Sequence, residues 1–392
     1  MTDIWLDGLR GSAPAVALAS LTARSTPVVR PFLVVPNDEE EAGYMYHDLK
    51  QMLGEERVLF YPSAYRRAAK YGQRDAANEI LRTEVLGRLA QWGRAGEERA
   101  SLYVVSFPQA LCERVAAPEQ VQEQTLTLQT GACYDLTALS QQLRDLGFVQ
   151  KDYVYEPGEY AVRGSILDVF SYASDYPCRI DFFGDEVDSI RSFEVQTQLS
   201  RDRRDQVRIV PDVEASASGS LVPFTDYLPD STALVLRDMT LLHDTADRLY
   251  NEGFARQAVL EREAQSEQEA RERHEQLLAS VQFVRGETLM RGLAPLQRTC
   301  YGGQPLGTPG AVLHFDTQPQ MLFHKQFDLL AQALGQFSAD GYTLFLLADS
   351  EKQHERMQQI LADMGTGLTL HGVTPTLHEG FMCGSLRLCL FT

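Results

Sequence analysis

In the segment Cys178-Arg179-Ile180-Asp181-Phe182-Phe183 the residue types change at every step. Side chains alternate between the faces of a strand, so Cys178, Ile180 and Phe182 share one face and Arg179, Asp181 and Phe183 the other. The first set reads as core. The second puts an aromatic beside an arginine on a face expected to be wet, the composition of a protein-binding hot spot. A Phe183 covered by a neighbouring loop of the same chain also fits the alternation. Arg163 sits beside Gly164, a bulge signal that leaves its facing open.

Signatures of other chemistry are incomplete. The five lysines, Lys50, Lys70, Lys151, Lys325 and Lys352, are never preceded by glycine, so the phosphate loop G-x-x-x-x-G-K-[ST] is missing. His274-Glu275, His354-Glu355 and His378-Glu379 begin like H-E-x-x-H, but none has the second histidine. Six cysteines are scattered without a C-x-x-C pair, so free thiols are expected, and neither a metal site nor a catalytic residue is assigned. Tyr61, Tyr65 and Tyr71 with Arg66, Arg67, Lys70 and Arg74 form one basic, aromatic stretch, either a surface loop or a stacking platform for single-stranded nucleic acid.

The formal net charge of the 392 residues is -18, which repels a phosphate backbone and argues against a stand-alone nucleic-acid binder. The amino terminus lacks a secretory pattern, and no apolar run approaches the roughly 20 residues of a membrane span. The cytoplasm is the expected compartment.

The surrounding elements follow from periodicity. Phe32 to Val35, Val58 to Tyr61 and Leu102 to Ser106 read as strands, with helices over the acidic start at Asp38 to Glu41 and over Leu81, Val85, Leu89 and Trp92. Strands alternating with helices imply a parallel α/β sheet. A helix carrying Leu136, Leu139, Leu143 and Leu146 ends at Gly147 and leads into short strands between Glu156 and Ser200, turning at Gly184-Asp185: an antiparallel meander. The charged run Arg201 to Arg208 is expected to return the chain to the first domain. A long charged helix spans Leu241 to Leu278. Phe323, Phe327, Leu330, Leu334 and Phe337 lie on one face of another helix, followed by a strand at Tyr342 to Ala348, a helix capped by Asp349 or Ser350, and a strand at Leu386 to Phe391.

EYAVRGSILDVF, then CRIDFFGDEVDSIRSFE and TQLS, resembles the UvrA-binding domain shared by transcription-repair coupling factors (Mfd) and the excision-repair protein UvrB. FDLLAQALGQFSADGYTLFLLADSEKQHERMQQIL is similar to the third domain of the coupling factors. The resemblance implies a degenerate helicase-like, RecA-like and UvrB-like α/β domain over residues 1–122 and 207–305. It also implies an inserted, mainly antiparallel UvrA-binding-type domain over 123–206 and a small α/β domain over 306–392. Carried over residue by residue, the contact to UvrA falls on Arg163, Arg179 and Phe183, the last two on the face that alternation had singled out. Where the family's phosphate loop would lie, Gly8-Leu9-Arg10-Gly11-Ser12-Ala13-Pro14 keeps glycines, lacks lysine and has Pro14 where a helix should begin. Asp185-Glu186-Val187-Asp188 imitates a helicase acidic box but falls in the meander's turn.

The implied function is a non-catalytic adaptor that recruits UvrA to RNA polymerase stalled at DNA lesions. RNA polymerase, double-stranded DNA, ATP and magnesium would be engaged only by regions beyond residue 392, so an ATP-dependent translocase is expected of the full-length protein and no cofactor of this chain. The alternative is a fragment of a UvrB-type damage-recognition ATPase or helicase.

Overall fold

The computed structural model describes residues 3–21, 29–64, 76–92, 100–174, 176–212, 221–262, 283–302, 308–321, 323, 326–374 and 376–392. A seven-stranded, wholly parallel sheet has the order Ala311–His314, Ile4–Asp7, Gln297–Tyr301, Ala233–Leu236, Pro31–Val35, Leu102–Val105, Val58–Phe60. Pro31–Val35, Leu102–Val105 and Ala233–Leu236 are buried at every position, as strands covered on both faces must be. Helix Glu39–Leu53 starts where the acidic run predicts. Asp38 is extended, its carboxylate accepts from the Glu41 amide, and Glu39 to Glu41 occupy the dipole-favoured first turn. Helix Ala76–Gln91 also buries charge: Arg82 pairs with buried Glu113 at 2.9 Å and lies over the Tyr61 ring.

Tyr61 is fully buried against Phe224, which removes it from any nucleic-acid platform. Tyr65, Arg66, Arg67, Lys70, Tyr71 and Arg74 lie outside the described residues, as does the part of the expected charged helix after Arg262, the described helix being Met239–Arg262.

Between Leu102–Val105 and Ala233–Leu236 the chain builds a second unit with its own core. Its six-stranded sheet runs Ser200–Arg204, Glu186–Phe193, Cys178–Phe183, Ile166–Val169, Glu159–Arg163, Val149–Gln150. The pairs are antiparallel except the last, so the expected meander is present. Helix Leu136–Asp145, capped by Asp135 and followed by Gly147 at φ 87°, lays Leu139 and Leu143 on the inner face against Ile180 and Phe182.

Two details differ from the sequence reading. Gly164 (φ 61°) is part of a two-residue turn pairing Arg163 with Ile166, not a bulge. Arg201 to Arg208 does not return the chain to the first domain: Ser200–Arg204 is the edge strand of the meander, and Gln206–Ile209 pairs with Leu126–Gln129. The alternation of Val207 and Ile209 draws that last strand into the second core, so the insertion extends past residue 206.

The C-terminal unit is a five-stranded sheet ordered Thr317–Pro319, Phe381–Cys383, Leu388–Phe391, Thr343–Leu347, His371–Val373, with helices Phe327–Ala339 and Glu351–Asp363 on one face. It begins later than residue 306, because Ala311–His314 takes the free edge of Ile4–Asp7 in the large sheet. On its other face Phe381 and Cys383 join the first core, so the two α/β units are packed together.

Candidate protein-docking face

The expected alternation along Cys178–Phe183 is present. Cys178, Ile180 and Phe182 are buried, Arg179 and Asp181 are half-buried, and Phe183 is 85% exposed, with no loop of the described chain over it. It stands at the rim because Gly184 (φ 64°) and Asp185 turn the chain immediately after it, pairing Phe183 with Glu186.

Register across the outer face explains the arginines. Asp168 lies opposite Arg179, and Arg179 opposite Arg191. Asp168, only 1% exposed, accepts a bidentate fork from Arg179, Nε to Oδ1 at 2.7 Å and Nη2 to Oδ2 at 2.9 Å. Arg163, brought to the same face by the turn at Gly164, donates to the same Oδ2. The hydrogen bond to Asp168 raises the Arg179 pKa above its ordinary value. Two rings fix the guanidiniums from the apolar side, Phe193 4.5 Å from Arg179 and Tyr153 4.9 Å from Arg163. Arg179 also donates to Gln198 Oε1 at 3.2 Å. Beyond the row, Arg191 pairs with Asp181, which accepts from Ser189 as well.

The structure thus brings Arg163 and Arg179 together and sets Phe183 further along the same face, roughly 13 Å from Arg179 at the rise of an extended strand. The two arginines share one buried carboxylate and present a joint cation, each fork having more N–H groups than the aspartate accepts. Asp168 was the residue the sequence reading missed. Its signal was an acid between Leu167 and Val169, an apolar pattern that alternation places on the Arg179 side. Gln198 carried no such signal.

The other candidate, the Gly8 to Pro14 turn, is filled by the chain itself. Gly8 is at φ 85°, and a Cβ there would fall 2.0 Å from the Phe315 carbonyl oxygen. Thr317 Oγ1 donates to the Gly8 carbonyl at 2.6 Å and accepts from the Arg10 amide at 2.8 Å. The Ser12 amide donates to the Glu379 carbonyl at 3.2 Å, and the Glu379 amide returns a bond to Ser12 Oγ at 3.0 Å. His378, whose ring stacks on Tyr44, donates its amide to Asp48 at 2.6 Å. Burial, above all, raises the pKa of Asp48 despite those bonds. Pro14 does not obstruct the helix as expected: Ala13–Ser20 begins around it, in the first turn where proline is tolerated. Glu379 is therefore a backbone partner of this turn, and His378 a partner of helix Glu39–Leu53.

Residues 126–214 match the UvrB interaction domain family. The transcription-repair-coupling factor of Bacillus subtilis is 23% identical over 421 residues, covering 91% of this chain and 34% of that protein. Its counterpart in Staphylococcus aureus is 22% identical with the same coverage, and that of Haemophilus influenzae is 39% identical over 101 residues, 26% of this chain and 9% of that protein. The chain spans about a third of the length of the relatives it matches most fully. The fold is that of a multidomain α/β chain, of which residues 126–214 are similar to the UvrB interaction domain family. More particularly, the chain is similar along most of its length to transcription-repair-coupling factors.

Proposed function

We propose that this chain is the non-catalytic UvrA-docking part of a cytoplasmic transcription-repair coupling factor, delivering UvrA to RNA polymerase stalled at a DNA lesion. The observation that carries the reading is Phe183, an 85%-exposed aromatic on the same sheet face as a fixed arginine pair and about 13 Å along the strand from it, within the stretch that matches the UvrB interaction domain. Phe183 fills a shallow apolar pocket of UvrA while Arg163 and Arg179 face its carboxylates or carbonyls. Polymerase, duplex DNA and ATP-magnesium are engaged by regions of the longer protein outside this chain.

The parallel sheet supports descent from a helicase-like nucleotide lobe. Two features support loss of its activity: the chain has no Gly-Lys pair, and the Ser12 amide is taken by the Glu379 carbonyl. Titration of UvrA with wild type and Phe183→Ala tests the docking role. The substitution is expected to weaken binding by roughly 1–3 kcal/mol, and equal affinities would exclude this interface. Tight ATP-magnesium binding by the chain would instead favour a UvrB-type ATPase.

A further inference from the structure

Arg163 and Arg179 face the partner in the proposed function, yet both are tethered within their own domain in ways that a surface cation does not need. Asp168 is a carboxylate on the outward side of the sheet that is nevertheless almost wholly removed from water. Among the described residues, the side chains that compensate its burial are the two guanidiniums it accepts from. Gln198 is one of two non-glycine residues with positive φ among those described, at 58°. In that conformation its side-chain oxygen reaches Arg179 at 3.2 Å and its amide nitrogen donates to the Val195 carbonyl at 2.8 Å. Backbone strain of this kind persists where surrounding contacts over-determine it. The rings of Phe193 and Tyr153 close the remaining sides.

We propose that Asp168 and Gln198 are positioning residues of the docking face: they hold the arginine pair in its binding geometry before the partner arrives. This rests on the docking function proposed above and adds to it the chemistry of the complement. Two arginines balanced by one aspartate carry a net single positive charge. The partner surface that fits is therefore one carboxylate, or a pair of carbonyl oxygens, set about 13 Å from an apolar recess for Phe183. A free arginine loses rotamer freedom on binding, and prior immobilisation removes that penalty. Asp168→Asn preserves shape while removing the charge that fixes the forks.

The test measures UvrA affinity of folded variants together with the Nε–H resonances of Arg163 and Arg179 in the free chain. Asp168→Asn is expected to weaken UvrA binding about tenfold, the scale of one lost charge-assisted contact, and to make both resonances mobile. In an Arg163→Ala/Arg179→Ala background the same change should add less than about a twofold loss, because a residue acting through its neighbours has nothing left to position. Gln198→Gly keeps the positive-φ backbone and deletes the amide. It is expected to loosen Arg179 alone and to weaken binding about threefold, the size of a modest hydrogen bond. Full additivity of Asp168→Asn with the arginine substitutions overturns the proposal, as do unchanged arginine resonances in both Asp168→Asn and Gln198→Gly. If wild type fails to bind UvrA while its resonances are rigid, the docking function falls and the partner assignment with it. Loosening of those resonances in the variants would still establish Asp168 and Gln198 as the groups that hold the pair.

Discussion

Phe183 and Arg82 mark the two extremes of what a single side chain does in this protein. Phe183 is 85% exposed and contributes nothing to the core. Phe183→Ala is therefore expected to leave stability within about 0.5 kcal/mol of wild type in urea unfolding, in contrast to its effect on docking. Arg82 is 1% exposed and neutralises buried Glu113. Arg82→Met should destabilise by roughly 3–5 kcal/mol in the same measurement, because it strands a carboxylate in the core. Asp48 gives a pH signature. Burial raises its folded-state pKa above the ordinary 3.8, so the fold favours the protonated form. That contribution is complete below 3.8 and is lost as pH rises through the raised value. Asp48→Asn, neutral throughout, should melt at a higher temperature than wild type near neutrality, with the gap closing toward pH 3.8. A pH-independent gap would mean that the carboxyl is not the cause.

At the scale of elements, the turn from Gly8 to Ser12 is the joint between the two α/β units. It receives Phe315, Thr317 and Glu379 from the C-terminal side while Leu9 and Ala13 pack in the first core. Gly8→Ala meets a backbone oxygen at 2.0 Å and an unfavourable φ of 85° together. A loss of more than about 1 kcal/mol follows. Hydrogen-exchange protection should fall along Phe381–Cys383 and Leu388–Phe391 while the Cys178–Phe183 strand, in its separate core, keeps its own. Uniform loss across all three strands would show that the joint is not local. The boundaries of these units were legible only approximately. Val207, Ile209 and Ala311 to Leu313 are short apolar stretches in charged or Gly/Pro-rich surroundings, and a local pattern does not say which sheet they complete.

For the whole molecule, the net charge of -18 coexists with an outer sheet face carrying Arg163, Arg179, Arg191 and Arg203 against Asp168 and Asp181. The overall negative charge opposes a phosphate backbone despite the local basic face. Affinity of the chain for undamaged duplex DNA at about 150 mM salt should therefore be weaker than the ~100 µM of ordinary non-specific binders. Fluorescence anisotropy checks this, and micromolar binding would return attention to the Tyr65 to Arg74 stretch.

By itself, the sequence determined the period-two alternation that puts Phe183 on the face of Arg179, the meander with its turn at Gly184-Asp185, the acidic first turn of helix Glu39–Leu53 and the missing phosphate-loop lysine, although the expected Asp349 or Ser350 cap makes no side-chain bond to its helix. Each depends on residues close together along the chain. Only tertiary structure decided that Asp168 would be the counter-ion shared by both arginines, 5 and 11 residues away, because strand register rather than spacing sets that contact. It likewise decided that Glu379 would meet Ser12 across 367 residues, since the docking of one unit on another is not encoded in either segment's periodicity.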